Sequence, residues 1–531
     1  MLTATSQLLQ TAVGVQLAPR TGTVMLVVPL LAPLATGVLA GLVGWRRTSA
    51  WATVAAAAAI LGCGVWAAVA TTDGDVYTAA GGLLRVDALS AVMLLVIGGV
   101  GVIATWAGVS YIEDELAAGH TDARGARLYG VLVPLFLAAM VLAVLAANLG
   151  VLWAAVEATT IVTAFLVGHR RTRSALEATW KYVIICSVGI ALAYLGTVLV
   201  YFASRHGDPC GHGSLDWAEL VANAGQLDPG VMRVAFALLV LGFGTKAGLV
   251  PLHSWLPDAH SQAPAPVSAL MSGVLLSVAV YALLRYRTIV SAVLDPTFVR
   301  TLLLTVALSS LAVAASMLLA QHDYKRLLTY SSIEHMGLVV VGLAVGTRLA
   351  VAALLLHILG HGLGKAVLFC GSGQILAVDG TTQISGVRGL LARRPVLAAT
   401  FGLGMVALLG LPPFSLFASE LALARAATSA GLGWPAAVAL PLLLVASLAV
   451  AAPTAGMLFG RPDAPTDGDA STEASHAHPL GAVAMQTRTA HESRASVAPL
   501  VVGLVALAVM GTLAWPLQAL LRSAAAIAGT P

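Results

Sequence analysis

The chain has 531 residues, of which 59% are hydrophobic and only 10% charged, with a mean hydropathy of +0.91 and a formal net charge of +4 at pH 7. Soluble domains carry roughly 25% charged residues, so the composition excludes an ordinary soluble enzyme and marks an integral membrane protein. The small net charge excludes a nucleic-acid-binding surface, and the basic residues are better read loop by loop.

The opening segment, MLTATSQLLQTAVGVQLAPR, has no basic stretch followed by a short apolar core and a small-residue cleavage site, so no cleaved signal peptide is expected. Apolar runs of about 20 residues suit transmembrane helices, and about fourteen are read. They begin near Val24, Trp51, Ala88, Leu128, Leu149, Thr179, Met232, Val267, Thr301, Thr329, Leu349, Leu397, Pro435 and Ala498. The expected fold is therefore an all-α polytopic membrane protein. Alternate loops carry WRRTS, HRRTRS, DYKRLL and VRGLLARRP, which places them in the cytoplasm by the positive-inside rule. Arg285, Arg287 and Arg300 cluster on the opposite side against that trend. With an even number of spans, both termini are expected on the outer face of the cell membrane. Residues 461–497 are polar and rich in small residues and read as a disordered cytoplasmic linker before a last helix at 498–531. His206, Cys210 and His212 read as an ordinary outer loop. The four cysteines are scattered, with no spacing that would hold an iron–sulfur cluster.

Two spans are interrupted. The stretch LLVLGFGTKAGLVPLHSWLPDAH, Leu238 to His260, sets Lys246 in an apolar run and a helix breaker, Pro251, five residues later. A second apolar run, FGLGMVALLGLPPFSLFASELALARA, breaks at Pro412 and Pro413, with Glu420 beyond. Interrupted helices in corresponding positions of two halves point to a repeat-built transporter with its site near the midplane. The two breaks lie five spans apart, an odd number, so a repeated five-helix unit must sit inverted. This divides the chain into residues 1–127 (helices 1–3), 128–290 (first inverted repeat, helices 4–8) and 291–460 (second inverted repeat, helices 9–13).

An ionisable group inside a span costs roughly 2.5–3.5 kcal/mol on insertion scales and is functional by default. Glu157, Lys246 and Lys365 have apolar residues for about two turns on one or both sides, which keeps their heads from water. His357, His361 and Lys365 are spaced i, i+4, i+8 and drift only about 80° around a helix, so they share one face. Two histidines at that spacing suggest zinc, but the H-E-x-x-H glutamate is absent and no third ligand stands nearby in sequence, so no metal is assigned. A hydrated proton path suits them better. Glu334 and His335 are read about one turn into their span, and Lys181 near the start of the sixth. For Lys181 and Glu334 a snorkelling head group is the competing explanation. Glu157 and Lys246 form a switchable pair: separating a buried carboxylate from a buried amine favours the neutral form of each. Imidazoles and waters then relay the proton.

The segment KAGLVPLHSWLPDAHSQAPAPVSALMSGVLL resembles the signature of the antiporter-like subunits of respiratory complex I, of the multisubunit cation/proton antiporters and of the group 4 membrane-bound hydrogenases. The resemblance runs from about Asp87 to about Glu420. EATWKYVIICSVGIALAYLG, DYKRLLTYSSIEHMGLV and HGLGKAVLFCGSGQI look most like the F component of hydrogenase-4-type complexes. It implies a fourteen-helix core of two inverted five-helix repeats and proton translocation driven by a neighbouring redox module. It also implies a proton path through Glu157, Lys246, His357, His361, Lys365 and Glu420. Some members carry a lysine where this chain has Ser277, so the link between half-channels passes here to water, Ser277, Tyr281 or the histidines. The cofactors, iron–sulfur or nickel–iron centres, are then expected in partner subunits and none in this chain. The alternative is a subunit of a cation/proton antiporter or of an inorganic-carbon uptake system, without a redox partner.

Overall fold

The computed structural model describes residues 19–206, 212–461, 494–512 and 515–528. Residues 462–493 of the expected linker and both chain ends lie outside these, as do Cys210 and its neighbours, and the last helix begins at Arg494, four residues before the expected 498. Helices α1 (Pro19–Val43) and α2 (Arg47–Ala70) lead through an antiparallel hairpin, β1 (Tyr77–Ala79) with β2 (Leu84–Val86), into α3 (Ala88–Ala117). Then come α4 (Ala123–Leu145), α5 (Leu149–Val167), α6 (Arg173–His206) and the short α7 (Trp217–Ala222). The first interrupted helix is α8 (Pro229–Lys246) plus α9 (Trp255–Gln262). It is followed by α10 (Ala265–Val290), α11 (Pro296–Leu318), α12 (Tyr324–Val345) and α13 (Arg348–Asp379). After a single turn, α14 (Leu390–Arg393), the second interrupted helix is α15 (Pro395–Leu408) plus α16 (Ser415–Ser429). The described chain closes with α17 (Gly433–Phe459), α18 (Arg494–Thr512) and α19 (Trp515–Ala528). Among the described residues, 12 helices are long and apolar enough to cross a membrane, or 13 if α18 and α19 count as one.

The apolar runs foretold these helices, with Ala88 and Leu149 at the helix starts and the other runs beginning one to six residues late, because polar first turns such as Arg173–Ser174 and Tyr324–Lys325–Arg326 are helical too. One reading changes as a result. Glu334 lies ten residues into α12, not one turn, and is buried, so it cannot snorkel. Aspartates mark several helix starts for a physical reason. The side chains of Asp87, Asp122, Asp228 and Asp323 accept backbone N–H bonds in the first turns of α3, α4, α8 and α12, each contributing about 1 kcal/mol.

The core consists of α10, α12 and nearly all of α13, enclosed by other helices, whereas α1 and α17 expose most of their surface. At the centre, α10 takes a π turn at Met271–Leu275 and meets α13 backbone to backbone. A Cβ on Gly273 would lie 2.8 Å from the Gly362 carbonyl, and one on Gly362 would lie 2.9 Å from the Gly273 carbonyl. Two of the three arginines on the unexpected side are held by other groups of the protein. Arg285 is buried and makes a bidentate pair with Asp87, 2.7 Å to each carboxylate oxygen, and stacks over Trp217. Arg287 donates to the Ala528 carbonyl at 3.0 Å. Charges neutralised inside the protein do not count as free loop charges in the positive-inside rule.

The two breaks share more than a proline. Each reads Gly-Leu-x-Pro, at Gly248–Pro251 and Gly410–Pro413, and each glycine is left-handed, with φ of 73° and 63°. In both, the leucine N–H returns to the carbonyl five residues earlier, Leu249 to Gly244 at 2.8 Å and Leu411 to Val406 at 3.3 Å, closing the half-helix as a Schellman cap does. Counting ten residues from each glycine gives Asp258 in α9 and Glu420 in α16.

Candidate functional site

The last residue of α8 is Lys246, fully buried. Its Nζ donates to the Tyr182 hydroxyl at 3.2 Å, and the Tyr182 ring packs against Trp255 with centroids 5.0 Å apart. The Tyr182 hydroxyl lies 2.5 Å from Thr163 Oγ1, which itself donates to the Thr159 carbonyl at 2.7 Å. With the threonine proton committed to that carbonyl, the tyrosine must be the donor in the pair. One turn back along α5, Thr160 Oγ1 donates to Glu157 Oε2 at 3.0 Å. Glu157 and Lys246, the expected switchable pair, are not within ion-pair distance of each other here; a ladder of hydroxyls on α5 and α6 stands between them.

In the other half, Lys365 is fully buried in α13 and donates to Ser331 Oγ at 2.5 Å and to the Leu328 carbonyl at 2.7 Å, both on α12. His361, one turn before it, has both ring nitrogens buried without a hydrogen-bond partner and a ring centroid 5.1 Å from that of His335. His335 Nδ1 lies 3.0 Å from His357 Nε2, and His357 Nδ1 lies 3.0 Å from Ser419 Oγ on α16. Ser419 donates to the Leu416 carbonyl at 2.8 Å, so His357 Nδ1–H donates to Ser419 and its Nε2 faces His335 Nδ1. The Glu420 carboxylate completes the cluster: one of its oxygens and one ring nitrogen each of His335 and His357 all lie within 4.8 Å of one another. The same carboxylate folds back over Gly410 at the break. Buried Glu334 is within electrostatic reach of both Lys365 and Glu420. The third ligand-type group that the sequence did not offer to His357 and His361 therefore comes from α12 and α16.

The remaining positions fall outside these two groups. Lys181 is exposed and paired with Glu177 at 2.7 Å and Asp258 at 3.1 Å; Asp258 also holds Arg326 at 2.6 Å, so the acid of the first break is tied to α6 and α12. Ser277 donates to the Gly273 carbonyl of its own helix at 3.3 Å. Tyr281 donates to the Val144 carbonyl at 2.8 Å and accepts from Arg285 at 3.0 Å, which places it in the Asp87–Arg285 clamp. A hydroxyl contact between α10 and α12 is made instead by Ser272 in the π turn, whose Oγ lies 2.8 Å from Ser332 Oγ, next to the serine that holds Lys365. Beside it, fully buried His260 sits between Trp255 and Phe369 with Nε2 unpaired. Sequence reasoning missed Tyr182, Thr160, Thr163, Ser331, Ser419, Ser272 and His260. Overlaying the two Gly-Leu-x-Pro breaks would have found Asp258.

Residues 146–445 match the family described as NADH:quinone oxidoreductase/Mrp antiporter, transmembrane. The chain is 39% identical over 340 residues to a hydrogenase-4 component F homolog of Methylacidiphilum infernorum, covering 64% of this chain and 71% of that protein. It is 31% identical over 349 residues to the hydrogenase-4 component B of Escherichia coli, spanning 64% of this chain but only half of that longer relative. Among solved structures, a chain of the Mrp complex from a Dietzia species superposes with a TM-score of 0.79, covering 96% of this chain and 97% of that one at 23% identity. That likeness is one of fold.

Proposed function

The chain belongs to the NADH:quinone oxidoreductase/Mrp antiporter transmembrane family, and from that premise we propose that it is the proton-translocating membrane subunit of a hydrogenase-4-like or complex I-like oxidoreductase. The observation that carries the reading is the hydrogen-bonded line His335–His357–Ser419, with Glu420 against it, which joins the Lys365 region to the second helix break. Fully buried lysines hydrogen-bonded by hydroxyls can load and release protons, and neutral imidazoles can pass them on. In this reading a charge change at Glu157 is felt by Lys246 across Tyr182 and Thr163. The proton on Lys365 leaves through Glu334 and the three histidines to Glu420. The redox centres, iron–sulfur or nickel–iron, reside in a peripheral module of partner subunits, and this chain holds none.

The same proposal includes the finer topology. Counting the α15–α16 break as one span and the α18–α19 pair as another gives fourteen. Residues 128–290 and 291–460 are then the inverted repeats, and the matching Gly-Leu-x-Pro breaks support that pairing. Both termini face outward and residues 461–497 face the cytoplasm.

The test is proton uptake by the assembled complex in liposomes during turnover. Lys246→Ala and Lys365→Ala are each expected to abolish it while the complex still assembles. Wild-type rates in either variant reject the mechanism, and loss of assembly alone makes the lysines structural. The fold likeness to an Mrp subunit favours one second reading, a cation/proton antiporter without redox partner. An active complex that purifies with no iron–sulfur or nickel–iron subunit supports it.

A further inference from the structure

The histidine cluster has a property that proton relay does not require. His335 Nδ1 and His357 Nε2 face each other at 3.0 Å, and a Glu420 oxygen lies within 4.8 Å of a ring nitrogen of each histidine. Two imidazoles and one carboxylate are the donor set of three-ligand zinc sites, in which ligand atoms about 2.0–2.2 Å from the ion stand about 3.3 Å from one another. The imidazole nitrogens are already near that separation. His357 is held in the required tautomer, because its Nδ1–H is committed to Ser419 and its Nε2 lone pair faces the cluster. An independent observation marks the spot as polar and unsatisfied: His361, packed against His335, is fully buried with both ring nitrogens unpaired. Glu420 is only part-buried, and Leu411, Pro412 and Pro413 beside it are exposed, so the cluster has one open side.

We propose that His335, His357 and Glu420 form a binding site for a divalent transition-metal ion such as Zn2+, with His361 adjoining as a fourth donor. His335 binds through its unprotonated ring nitrogen, and the ion takes the place of the close contact with His357. A proton held by Glu420 is released to water. The ion then occupies the imidazole line, so it stops proton transfer from α13 to α16. The blocking effect rests on the function proposed above; the binding does not.

The test uses the full chain in detergent and Co2+ as the spectroscopic probe. A reference variant replaces His206, Cys210, His212, His476, His478 and His491, which removes the loop and linker donors and leaves the cluster intact. The reference is expected to bind one Co2+ per chain with the ligand-field bands of a four- or five-coordinate ion. His357→Gln or Glu420→Gln in that background weakens binding by more than about 100-fold, since even loss of a supporting partner costs 10–100-fold. Stoichiometric binding lost in the reference, or unchanged in Glu420→Gln, overturns the site. If His357→Gln elutes aggregated on gel filtration, Glu420→Gln decides. A reference protein that binds Zn2+ and still moves protons at the uninhibited rate leaves the site standing and refutes the relay.

Discussion

Replacing Tyr182 with Phe removes one oxygen atom from the interior and leaves the ring that packs on Trp255 in place. That oxygen is the hydrogen-bond partner of Lys246 Nζ at 3.2 Å and bonds Thr163 at 2.5 Å, and the tyrosine is fully buried, so water does not readily substitute for it. A hydrogen bond to a charged group contributes about 1.5–3 kcal/mol. Each turnover of the proposed cycle passes through the charged lysine, so the variant populates that state roughly 10- to 150-fold less, and turnover falls by a similar factor. The assay is proton uptake in liposomes containing the assembled complex, read beside Lys246→Ala as the zero. Thermal unfolding of the variant, measured beside wild type, separates a loss of transport from a loss of fold, since leaving Lys246 and Thr163 unpaired itself costs about 1–3 kcal/mol. Tyr182→Phe transport within about twofold of wild type would refute the hydroxyl ladder, since the lysine would then be charging and discharging by some other path.

Asp87→Asn keeps the helix cap, because Asn caps as well as Asp, but leaves the buried Arg285 guanidinium without its anion. A loss of about 3–5 kcal/mol is expected, and Asp87→Asn with Arg285→Met should recover most of it; detergent melting curves measure both, and an unshifted single variant contradicts the assignment. Gly410→Ala forces a side chain into a left-handed residue, at about 1–2 kcal/mol, and its Cβ collides with the Glu420 carboxylate, so proton transfer should fall to the level of Glu420→Gln. Gly248→Ala carries the same strain, but its Cβ, 2.9 Å from Leu256 Cδ2, displaces only an apolar group; it should lose stability and keep more of its transport.

Charges are rare here and lipid penalises them, which is why Lys246, Lys365 and Glu420 could be picked out as single letters and the spans as apolar runs. Tyr182, Thr163, Ser331 and Ser419 could not, because hydroxyl residues are ordinary in helices and only the packing of α5 on α6, α12 on α13 and α13 on α16 gives theirs a partner. Glu334 was placed too shallow for a related reason. Hydropathy senses where lipid begins, and α12 starts earlier, with Lys325 already buried in its first turn. Nor does the sequence tell whether Glu157 and Lys246 touch; hydroxyls of α5 and α6 stand between them. Arg285, read only as a charge on the unexpected side, is paired by the fold with a residue 198 positions away.

Glu157 is only half-buried, and it shares a helix face with Ile161 and Phe165, both well exposed. A copy of this chain left alone in lipid therefore presents a carboxylate to hydrocarbon, a penalty of several kcal/mol that ends when another protein covers the face. The acid thus labels an orphan. Membrane quality control that senses polar groups in the bilayer can tell a surplus copy from an assembled one, and overproduction of this chain without its neighbours should shorten its lifetime rather than enlarge its pool.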